Sequence, residues 1–252
     1  RAIYGLMLRA ANRTLLELAA TPSDHRFLED DGTTLRSYNG AHLNHELVRA
    51  WATRPEMLVA ARELVGGDVY LYQTRFIYKA PFTGAGWPWH QDFRYWMAED
   101  RIQRPDMVLA AVFLDDVSPI NSPLMVLPGS QRGGMVPVAS RTGATQKGDF
   151  RANLGTDGEF SLSPEIAGKM IEEHGCKQAV GPLGSVLFLH PNLVHGSYEN
   201  ISGSPRGLMY FVYNRVDNAP AGEGSRRPPY LCATDHRPLQ VPPLGDLHRR
   251  IA

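Results

Sequence analysis

A histidine and an aspartate separated by one residue stand within an aromatic run from Trp87 to Trp96. On an extended strand, side chains two positions apart project from the same face, so His90 and Asp92 can each give one bond to a metal ion. A third ligand must come from elsewhere in the chain, and we expect it to be His195. Two histidines and one carboxylate on one face of an ion, with the opposite face open, form the arrangement used for non-haem Fe(II) and oxygen chemistry.

A basic residue downstream of His195 suits a second requirement of that chemistry. Oxygen activation needs electrons beyond those of the substrate, and the dicarboxylate 2-oxoglutarate is a common source, so a buried cation is expected opposite the metal. Arg206 begins a predicted strand, and antiparallel pairing would return its guanidinium to the metal-facing side, where its planar fork matches a carboxylate. Ser197, two residues past His195, would point the same way and add a hydroxyl donor.

Composition excludes several other classes of function. The 252 residues are 43% hydrophobic and 21% charged, which is ordinary for a soluble globular protein, and Lys plus Arg equals Asp plus Glu at 26 each. Without net charge, no global field would attract nucleic acid or a membrane surface. Two cysteines are too few for a disulfide framework and favour a cytoplasmic location. No apolar run approaches a membrane span, and the first residues lack a signal-peptide pattern. The chain opens on Arg1 rather than Met, so the sequence leaves open whether a segment precedes it.

The elements around these residues change character near residue 68. Residues 1–66 are predicted to be helical, with helices ending near Thr21-Pro22 and spanning 40–52 and 55–65. Six strands are predicted after residue 68, at 69–79, 108–114, 124–127, 183–189, 192–197 and 208–214. One later helix is predicted at 164–174. Many short strands without long helices between them predict a mainly β fold with flanking helices, a double-stranded β-helix of the jelly-roll, cupin-like kind.

Length and strand pattern predict a single domain over residues 1–252, and the metal motif with Arg206 predicts that it is an Fe(II)/2-oxoglutarate dioxygenase domain. Residues 1–66 would form a helical N-terminal support, 68–216 the jelly-roll core, and 217–252 an extended, proline-rich C-terminal tail over the surface. Residues 140–163 are rich in Gly, Thr, Ser and charge, and are predicted to be a lid loop over the site.

Three stretches carry a resemblance to a known family. Residues 73–96, 113–130 and 195–206 resemble the phytanoyl-CoA dioxygenase superfamily, and within it ectoine hydroxylase and its bacterial relatives that act on small amino acids. The resemblance covers roughly residues 68 to 231. It implies Fe(II) bound by the two histidines and the aspartate, with 2-oxoglutarate held by Arg206 and Ser197. It also implies O2 as cosubstrate and ascorbate as a helpful reductant.

The same resemblance indicates pocket residues. Gln73, Trp96, Tyr210 and Arg227 stand where ectoine hydroxylase has its substrate pocket, and we assign Gln73 to the cosubstrate side of it. Independently, an apolar wall with a few converging polar groups suits a small polar ligand.

Departures from the family pattern bear on the substrate. Around the metal motif this chain has Gln91, Arg94-Tyr95 and Met97 instead of Ser, Glu-Thr and His, and Ile77 replaces an Asn that assists 2-oxoglutarate. These differences argue against ectoine itself. The arginines in and near the predicted pocket favour a substrate with a carboxylate, such as a free amino acid or a cyclic imino acid. The residues assigned to the substrate are Arg75, Arg94, Trp96, Tyr210 and Arg227.

The expected reaction is hydroxylation of an unactivated C–H bond of a small molecule. The carboxylate at Asp92 favours this over halogenation, since related halogenases replace that carboxylate with a small residue. Desaturation, cyclisation or epimerisation with the same cofactors stays open, and a catalytically inert cupin-like binding protein is the alternative of another class. The protein is expected to be a monomer or a homodimer.

Overall fold

Two antiparallel sheets form the framework of the computed structural model, which describes residues 2–138, 158–220 and 227–241. The helices are α1 (Ala2–Ala20), α2 (Ala41–Asn44), α3 (Glu46–Ala52), α4 (Pro55–Val65), α5 (Asp92–Asp100) and α6 (Pro164–His174). The strands are β1 (Arg26–Leu28), β2 (Leu35–Asn39), β3 (Val69–Lys79), β4 (Trp87–His90), β5 (Met107–Phe113), β6 (Leu124–Val126), β7 (Lys177–Ala179), β8 (Val186–Leu189), β9 (His195–Ser197) and β10 (Arg206–Arg215). The larger sheet has the order β1-β2-β3-β10-β5-β8 and the smaller one β4-β9-β6-β7. The predicted double sheet is confirmed.

Both faces of the larger sheet are buried. Helices cover one face, and the smaller sheet lies over the opposite face, which we call the inner face. Successive side chains of a strand point to opposite faces. On β10, the residues facing the helical layer are Met209, Phe211 and Tyr213. The residues facing the inner side are Leu208, Tyr210 and Val212. The continuous apolar run of β10 therefore serves two cores.

A bulge in β3 changes which of its side chains reach the inner face. Successive β10 residues pair with Gln73 and Leu71, so Tyr72 is an extra residue on β3. A bulge of this kind shifts the alternation of the strand. Before it, Tyr70 and Tyr72 belong to the inner core, and after it Gln73 and Arg75 face inward. Polar side chains thereby enter a face that would otherwise be apolar.

The prediction of a helical support over residues 1–66 did not include two short strands that lie between its helices. Strands β1 and β2 pair with each other and extend the larger sheet through β3. The turn between them is stabilised by the Asp31 carboxylate, which accepts the backbone N–H groups of Thr33 and Thr34. These strands are too short for hydrophobic alternation to stand out, so the sequence pattern does not mark them.

Capping signals in the sequence predicted the bounds of two helices correctly. Helices α4 and α6 lie at the predicted 55–65 and 164–174, each with a proline in its first turn. The predicted helix 40–52 is interrupted at His45, which has an extended backbone. Helix α5 was missed because its aromatic residues resemble a strand. Among the described residues, no helix combines the length and the apolar character needed to cross a membrane.

The sequence predicted that the C-terminal tail lies over the surface, but part of the tail is buried. Tyr230, Leu231 and Cys232 are buried. Gly40 permits this packing, because a Cβ there would lie 2.4 Å from the Tyr230 Cβ and the φ of Gly40 is +69°. The greater part of the predicted lid, residues 140–157, lies outside the described residues.

Replacing Leu58 with alanine tests the contact between α4 and the sheet. Leu58 is fully buried, and truncating such a leucine costs about 2–5 kcal/mol of unfolding free energy. We expect a lower thermal midpoint and a lower urea midpoint. The matched control is Leu64→Ala in the same helix, where the side chain is 62% exposed and the change should stay within about 0.5 kcal/mol. Equal losses in both variants would contradict this packing.

Candidate metal centre and active site

Two neighbouring strands and a helix start bring the three predicted metal ligands together. His90 ends β4 and pairs across the sheet with His195, the first residue of β9, and their ring centroids lie 4.3 Å apart. Asp92 begins α5 rather than continuing the strand, but the extended backbone of Gln91 keeps its carboxylate on the same side. The Asp92 oxygens lie 3.7 Å from His90 Nε2 and 3.6 Å from His195 Nε2.

The hydrogen bonds of both imidazoles favour the tautomer that binds a metal through Nε2. The Nδ1 of His90 lies 2.7 Å from the carbonyl oxygen of Pro88, and that of His195 lies 2.9 Å from the carbonyl oxygen of Leu193. An Nδ1–H that donates to a carbonyl leaves the Nε2 lone pair free for an ion. Burial lowers the pKa of His195 to about 4, which keeps this imidazole neutral.

The donor set fits Fe(II). Burial raises the pKa of the Asp92 carboxyl, but the nearby His90, His195 and Arg75 outweigh burial and hold that pKa well below its usual range. An ionised carboxylate and two imidazole nitrogens are the ligands of the facial triad. Bonds of about 2.1 Å allow two ligand atoms of one ion to lie up to about 4.2 Å apart, so both carboxylate–imidazole distances are compatible with a shared ion. Among the described residues, this is the one group of three or more such side chains close enough to hold a metal.

Arg206 lines the same cavity and has an incomplete set of partners. Its Nε donates to the carbonyl oxygen of Ser122 at 2.9 Å, while its Nη2 is buried without a hydrogen-bond partner among the described residues. Burial lowers the pKa of Arg206 to about 10, so the guanidinium remains charged at neutral pH. The buried hydroxyl of Ser197 also lacks a partner there. A buried cation and an unpartnered hydroxyl that line one cavity fit an incoming carboxylate, which is the anchor that 2-oxoglutarate needs.

A second pair of polar groups lies on the wall formed by β3. Gln73 and Arg75 both line the cavity that contains the metal ligands. Arg75 is half-buried, but its Nε is fully buried, and neither this nitrogen nor Gln73 Oε1 has a hydrogen-bond partner among the described residues. The cavity therefore offers a second cation and a free acceptor.

Aromatic and aliphatic side chains close the space between these polar groups. Trp96 and Tyr210, both predicted from the sequence, line the cavity, and Trp96 packs edge-on against Tyr72 with ring centroids 5.5 Å apart. The apolar residues that complete the wall are Ile77, Trp87, Leu109, Leu124 and Val212. These side chains make part of the space beside the metal ligands apolar, as is usual in pockets for small ligands.

Two of the predicted substrate residues are not among those lining this cavity. The Arg94 guanidinium lies 5.7 Å from the centre of the Phe160 ring. Arg227 pairs with the buried Asp100, with its Nε 2.8 Å from Oδ1, and also bonds the Tyr72 hydroxyl. Arg227 thus joins the C-terminal tail to the end of α5 behind Trp96.

Sequence reasoning missed the supporting role of Gln91, between two metal ligands. Its Nε2 donates to the carbonyl oxygens of Gly134 at 2.9 Å and Asn192 at 2.6 Å, and its Oε1 accepts the N–H of Val136 at 2.8 Å. One buried amide therefore holds the segment that leads to His195 against the ligand motif. The only available signal was an amide between a histidine and an aspartate.

A second missed support comes from the β1–β2 hairpin. Glu29 and Arg36 form a buried ion pair at 2.8 Å. The Arg36 guanidinium lies 3.8 Å from the centre of the Trp87 ring and donates to the carbonyl oxygen of Gly86 at 3.1 Å, while Glu29 accepts the N–H of Ala85. These contacts position the start of β4. No local pattern in the sequence connects residues so far apart.

Comparison with known proteins agrees with this geometry. A model of the phytanoyl-CoA dioxygenase (PhyH) family matches residues 6–208. An L-proline trans-4-hydroxylase from Streptomyces griseoviridis is 38% identical over 212 residues, which cover 84% of this chain and 78% of that enzyme. An ectoine dioxygenase from Stutzerimonas stutzeri is 35% identical over 234 residues, which cover 89% of this chain and 74% of that enzyme.

Solved structures give the same result at the level of the fold. The crystal structure of EctD from S. alaskensis with 2-oxoglutarate and 5-hydroxyectoine matches with a TM-score of 0.78 at 28% identity. The match covers 96% of this chain and 79% of that one. The jelly-roll prediction is confirmed.

Replacing His195 with alanine tests the metal centre. Loss of one of three ligands should abolish tight Fe(II) binding, because the remaining imidazole and carboxylate offer only two bonds. Iron content after anaerobic loading and desalting is the measurement. His174→Ala at the end of α6 is the matched control and should retain iron. Full iron retention by the His195 variant would place the metal elsewhere.

Proposed function

This chain belongs to the phytanoyl-CoA dioxygenase family and is an Fe(II)- and 2-oxoglutarate-dependent dioxygenase, and we propose that it hydroxylates a free amino acid or a cyclic imino acid. The bond attacked is an unactivated C–H bond. One oxygen atom of O2 enters the product, and the other enters the succinate formed when 2-oxoglutarate loses CO2.

One observation supports the proposal most directly. Two guanidinium groups, those of Arg206 and Arg75, enter one cavity with the metal ligands, and each has a buried nitrogen without a protein partner among the described residues. A buried N–H donor left without a hydrogen-bond partner is costly, so both groups are expected to donate to an incoming anion when the enzyme is loaded. Two anchors match two carboxylates, one on the cosubstrate and one on the substrate.

Arg206 and Ser197 are assigned to 2-oxoglutarate. Arginine binds a carboxylate through two parallel N–H donors, and the Ser197 hydroxyl would add a third. Bound there, Fe(II) and 2-oxoglutarate would supply the oxidising power needed to hydroxylate a C–H bond. His90, Asp92 and His195 would hold the ion, and the remaining coordination positions would be open to the reactants.

Arg75 and Gln73 are assigned to the substrate. Arg75 would hold the substrate carboxylate, and the free Gln73 Oε1 would accept an N–H from its amino or imino group. The sequence assigned Gln73 to the cosubstrate, and its unpartnered Oε1 also makes it available to an N–H group of the substrate. Trp96 and Tyr210 would enclose the carbon skeleton and exclude water.

The relatives support this class of substrate. One acts on L-proline, a cyclic imino acid, and others act on ectoine. A carboxylate anchor and an acceptor for nitrogen suit proline-like and linear amino acids alike. Arg94 and Arg227 are proposed to act from behind the pocket wall, Arg227 by supporting Tyr72 and Trp96 through Asp100.

We also propose a cytoplasmic location and a monomer or homodimer without nucleic-acid partners. Cys176 and Cys232 are both free thiols, which is compatible with a reducing compartment. The balanced charge of the chain supports the absence of polyanionic partners.

Succinate release tests the function. The protein is incubated with Fe(II), ascorbate and 2-oxoglutarate, with and without pools of amino acids, imino acids and ectoine, and the same samples are analysed by mass spectrometry. We expect succinate formation that a pool stimulates and a product one oxygen atom heavier than its substrate. A product two hydrogens lighter would indicate desaturation instead. Absence of succinate formation with iron bound would support an inert binding protein.

Replacing Arg75 with glutamine tests the substrate anchor. Loss of a charge-assisted hydrogen bond worth about 1.5–3 kcal/mol should raise the KM for the amino-acid substrate roughly tenfold or more, while the KM for 2-oxoglutarate changes little. Steady-state kinetics with each reactant varied separately is the measurement, after iron content is verified. Arg104→Gln, an exposed arginine paired with Asp106, is the matched control. An unchanged substrate KM would remove Arg75 from the substrate site.

A further inference from the structure

We propose that Ser122 is a positioning residue whose backbone carbonyl directs the Arg206 guanidinium and so sets the chain length of the dicarboxylate cosubstrate. The proposal rests on the proposed binding of 2-oxoglutarate at Arg206. Ser122 is fully buried and directly precedes Pro123 and strand β6. Its side chain is not among those lining the cavity.

The contact between the two residues fixes one edge of the guanidinium. Arg206 Nε donates to the Ser122 carbonyl oxygen at 2.9 Å, and both residues are buried. A guanidinium is planar, so binding Nε on one side determines the directions of the two terminal nitrogens. The carbonyl of Ser122 therefore determines where the cavity-facing N–H groups of Arg206 point.

The carbonyl is held in place by an unfavourable backbone conformation. Ser122 has a φ of +62°, in the left-handed region that side chains with a Cβ disfavour. Such a conformation persists only where the surroundings determine it, and it is frequent at functional sites. Here the Ser122 hydroxyl donates to the carbonyl oxygen of Tyr198, the residue that follows Ser197. The hydroxyl thus connects the turn to the strand that supplies His195 and Ser197.

The residues before Ser122 are held just as firmly. Asn121 is buried, and its Nδ2 donates to the carbonyl oxygens of Asp116 at 2.9 Å and Pro205 at 3.2 Å. Its Oδ1 accepts the N–H of Ser118 at 2.8 Å. Because Pro205 directly precedes Arg206, the turn is tied to the backbone as well as to the side chain of the anchor.

A second hydroxyl fixes the other end of the turn. The Tyr198 hydroxyl donates to the carbonyl oxygen of Pro119. Tyr198 therefore holds the turn at both ends, through its own carbonyl and through its phenol. We define the Ser122 turn as residues 119–122.

A fixed guanidinium has a consequence for selectivity. The distance from the metal ligands to the terminal nitrogens of Arg206 is then constant, and it suits one length of 2-oxo dicarboxylate. Oxaloacetate is one carbon shorter than 2-oxoglutarate, and 2-oxoadipate is one carbon longer. Release of the turn should weaken the binding of 2-oxoglutarate and reduce the ratio between its affinity and the affinities of both homologues.

Two substitutions at one position separate the backbone from the hydroxyl. Ser122→Ala and Ser122→Gly both remove the hydroxyl. Alanine keeps the Cβ that disfavours a positive φ, so the turn should relax and the carbonyl should leave Arg206. Glycine adopts a positive φ readily, so the turn and its carbonyl should stay in place.

The measurement is anaerobic calorimetric titration of the Fe(II)-loaded protein with 2-oxoglutarate, oxaloacetate and 2-oxoadipate. We expect Ser122→Ala to raise the Kd for 2-oxoglutarate about tenfold and to reduce discrimination against the homologues, whereas Ser122→Gly stays within about threefold of the unmodified protein. In steady state, the alanine variant should raise the KM for 2-oxoglutarate with kcat nearly unchanged. Ser185→Ala is the matched control, since its hydroxyl also donates to a backbone carbonyl but lies in an exposed turn.

A second variant covers the case in which Ser122→Ala does not fold. Tyr198→Phe releases the far end of the Ser122 turn without changing position 122. It should also raise the Kd for 2-oxoglutarate, by a smaller factor than Ser122→Ala, and should again reduce discrimination between chain lengths.

Two sets of results overturn the proposal. Equal weakening by alanine and glycine would show that the hydroxyl acts and that the backbone conformation does not. Unchanged affinity and selectivity in Ser122→Ala and Tyr198→Phe would show that the turn does not orient the anchor. Arg206→Ala distinguishes these failures from failure of the proposed function, because undiminished binding of 2-oxoglutarate to that variant would remove the anchor itself.

Discussion

The pairing of β3 with β10 is the constraint on which the site depends. Its register brings Arg206 to one end of the inner face and Tyr210 to its middle, while the bulge at Tyr72 turns Gln73 and Arg75 onto the same face. Without the extra residue, the strand would keep its earlier alternation and present these two polar side chains to the helical layer. A single insertion in the ladder thus converts one end of a hydrophobic sandwich into a polar cavity.

Around that cavity the protein maintains buried polar groups that it does not satisfy internally. Most buried polar atoms in folded proteins have a partner, so unpartnered atoms grouped in one place indicate a ligand. The contrast with Arg227 and Arg36 supports this interpretation, because both are buried and both pair with a carboxylate. The fold can therefore place a carboxylate in hydrogen-bond contact with a buried arginine, whereas Arg75 and Arg206 each keep a buried nitrogen without a hydrogen-bond partner among the described residues.

The sequence predicted the metal ligands and the cosubstrate anchor better than it predicted the residues that hold them in place. The spacing of His90 and Asp92, the later His195 and the basic start of β10 were readable because each follows from strand periodicity and metal preference. The double sheet was readable from short strands with turn residues between them. Helix α5 was not, because a run of aromatic residues is compatible with strand and helix alike until its packing is known.

The supports depend on contacts between distant parts of the chain. Nothing in the segment around Arg36 shows that it stacks on Trp87, and nothing near Asp100 shows that Arg227 will return to it. Strands β1 and β2 are short, and their pairing with β3 decides their structure. Tertiary contacts override local preference in such segments. A pattern-based prediction can therefore identify ligands while missing the residues that aim them.

The charges of the cavity lining have a consequence for which solutes enter it. Two guanidinium groups face one carboxylate there, so the vestibule is electropositive even before a divalent ion is added. Once the triad holds its divalent ion, such an excess of positive charge in a space of low dielectric would repel further cations and attract anions over several ångströms. We therefore expect this positive field to disfavour polyamines and other cationic metabolites, whereas a zwitterion can approach with its carboxylate toward the guanidinium groups. The same field attracts small inorganic anions, so such anions are expected to compete with carboxylates for Arg75 and Arg206.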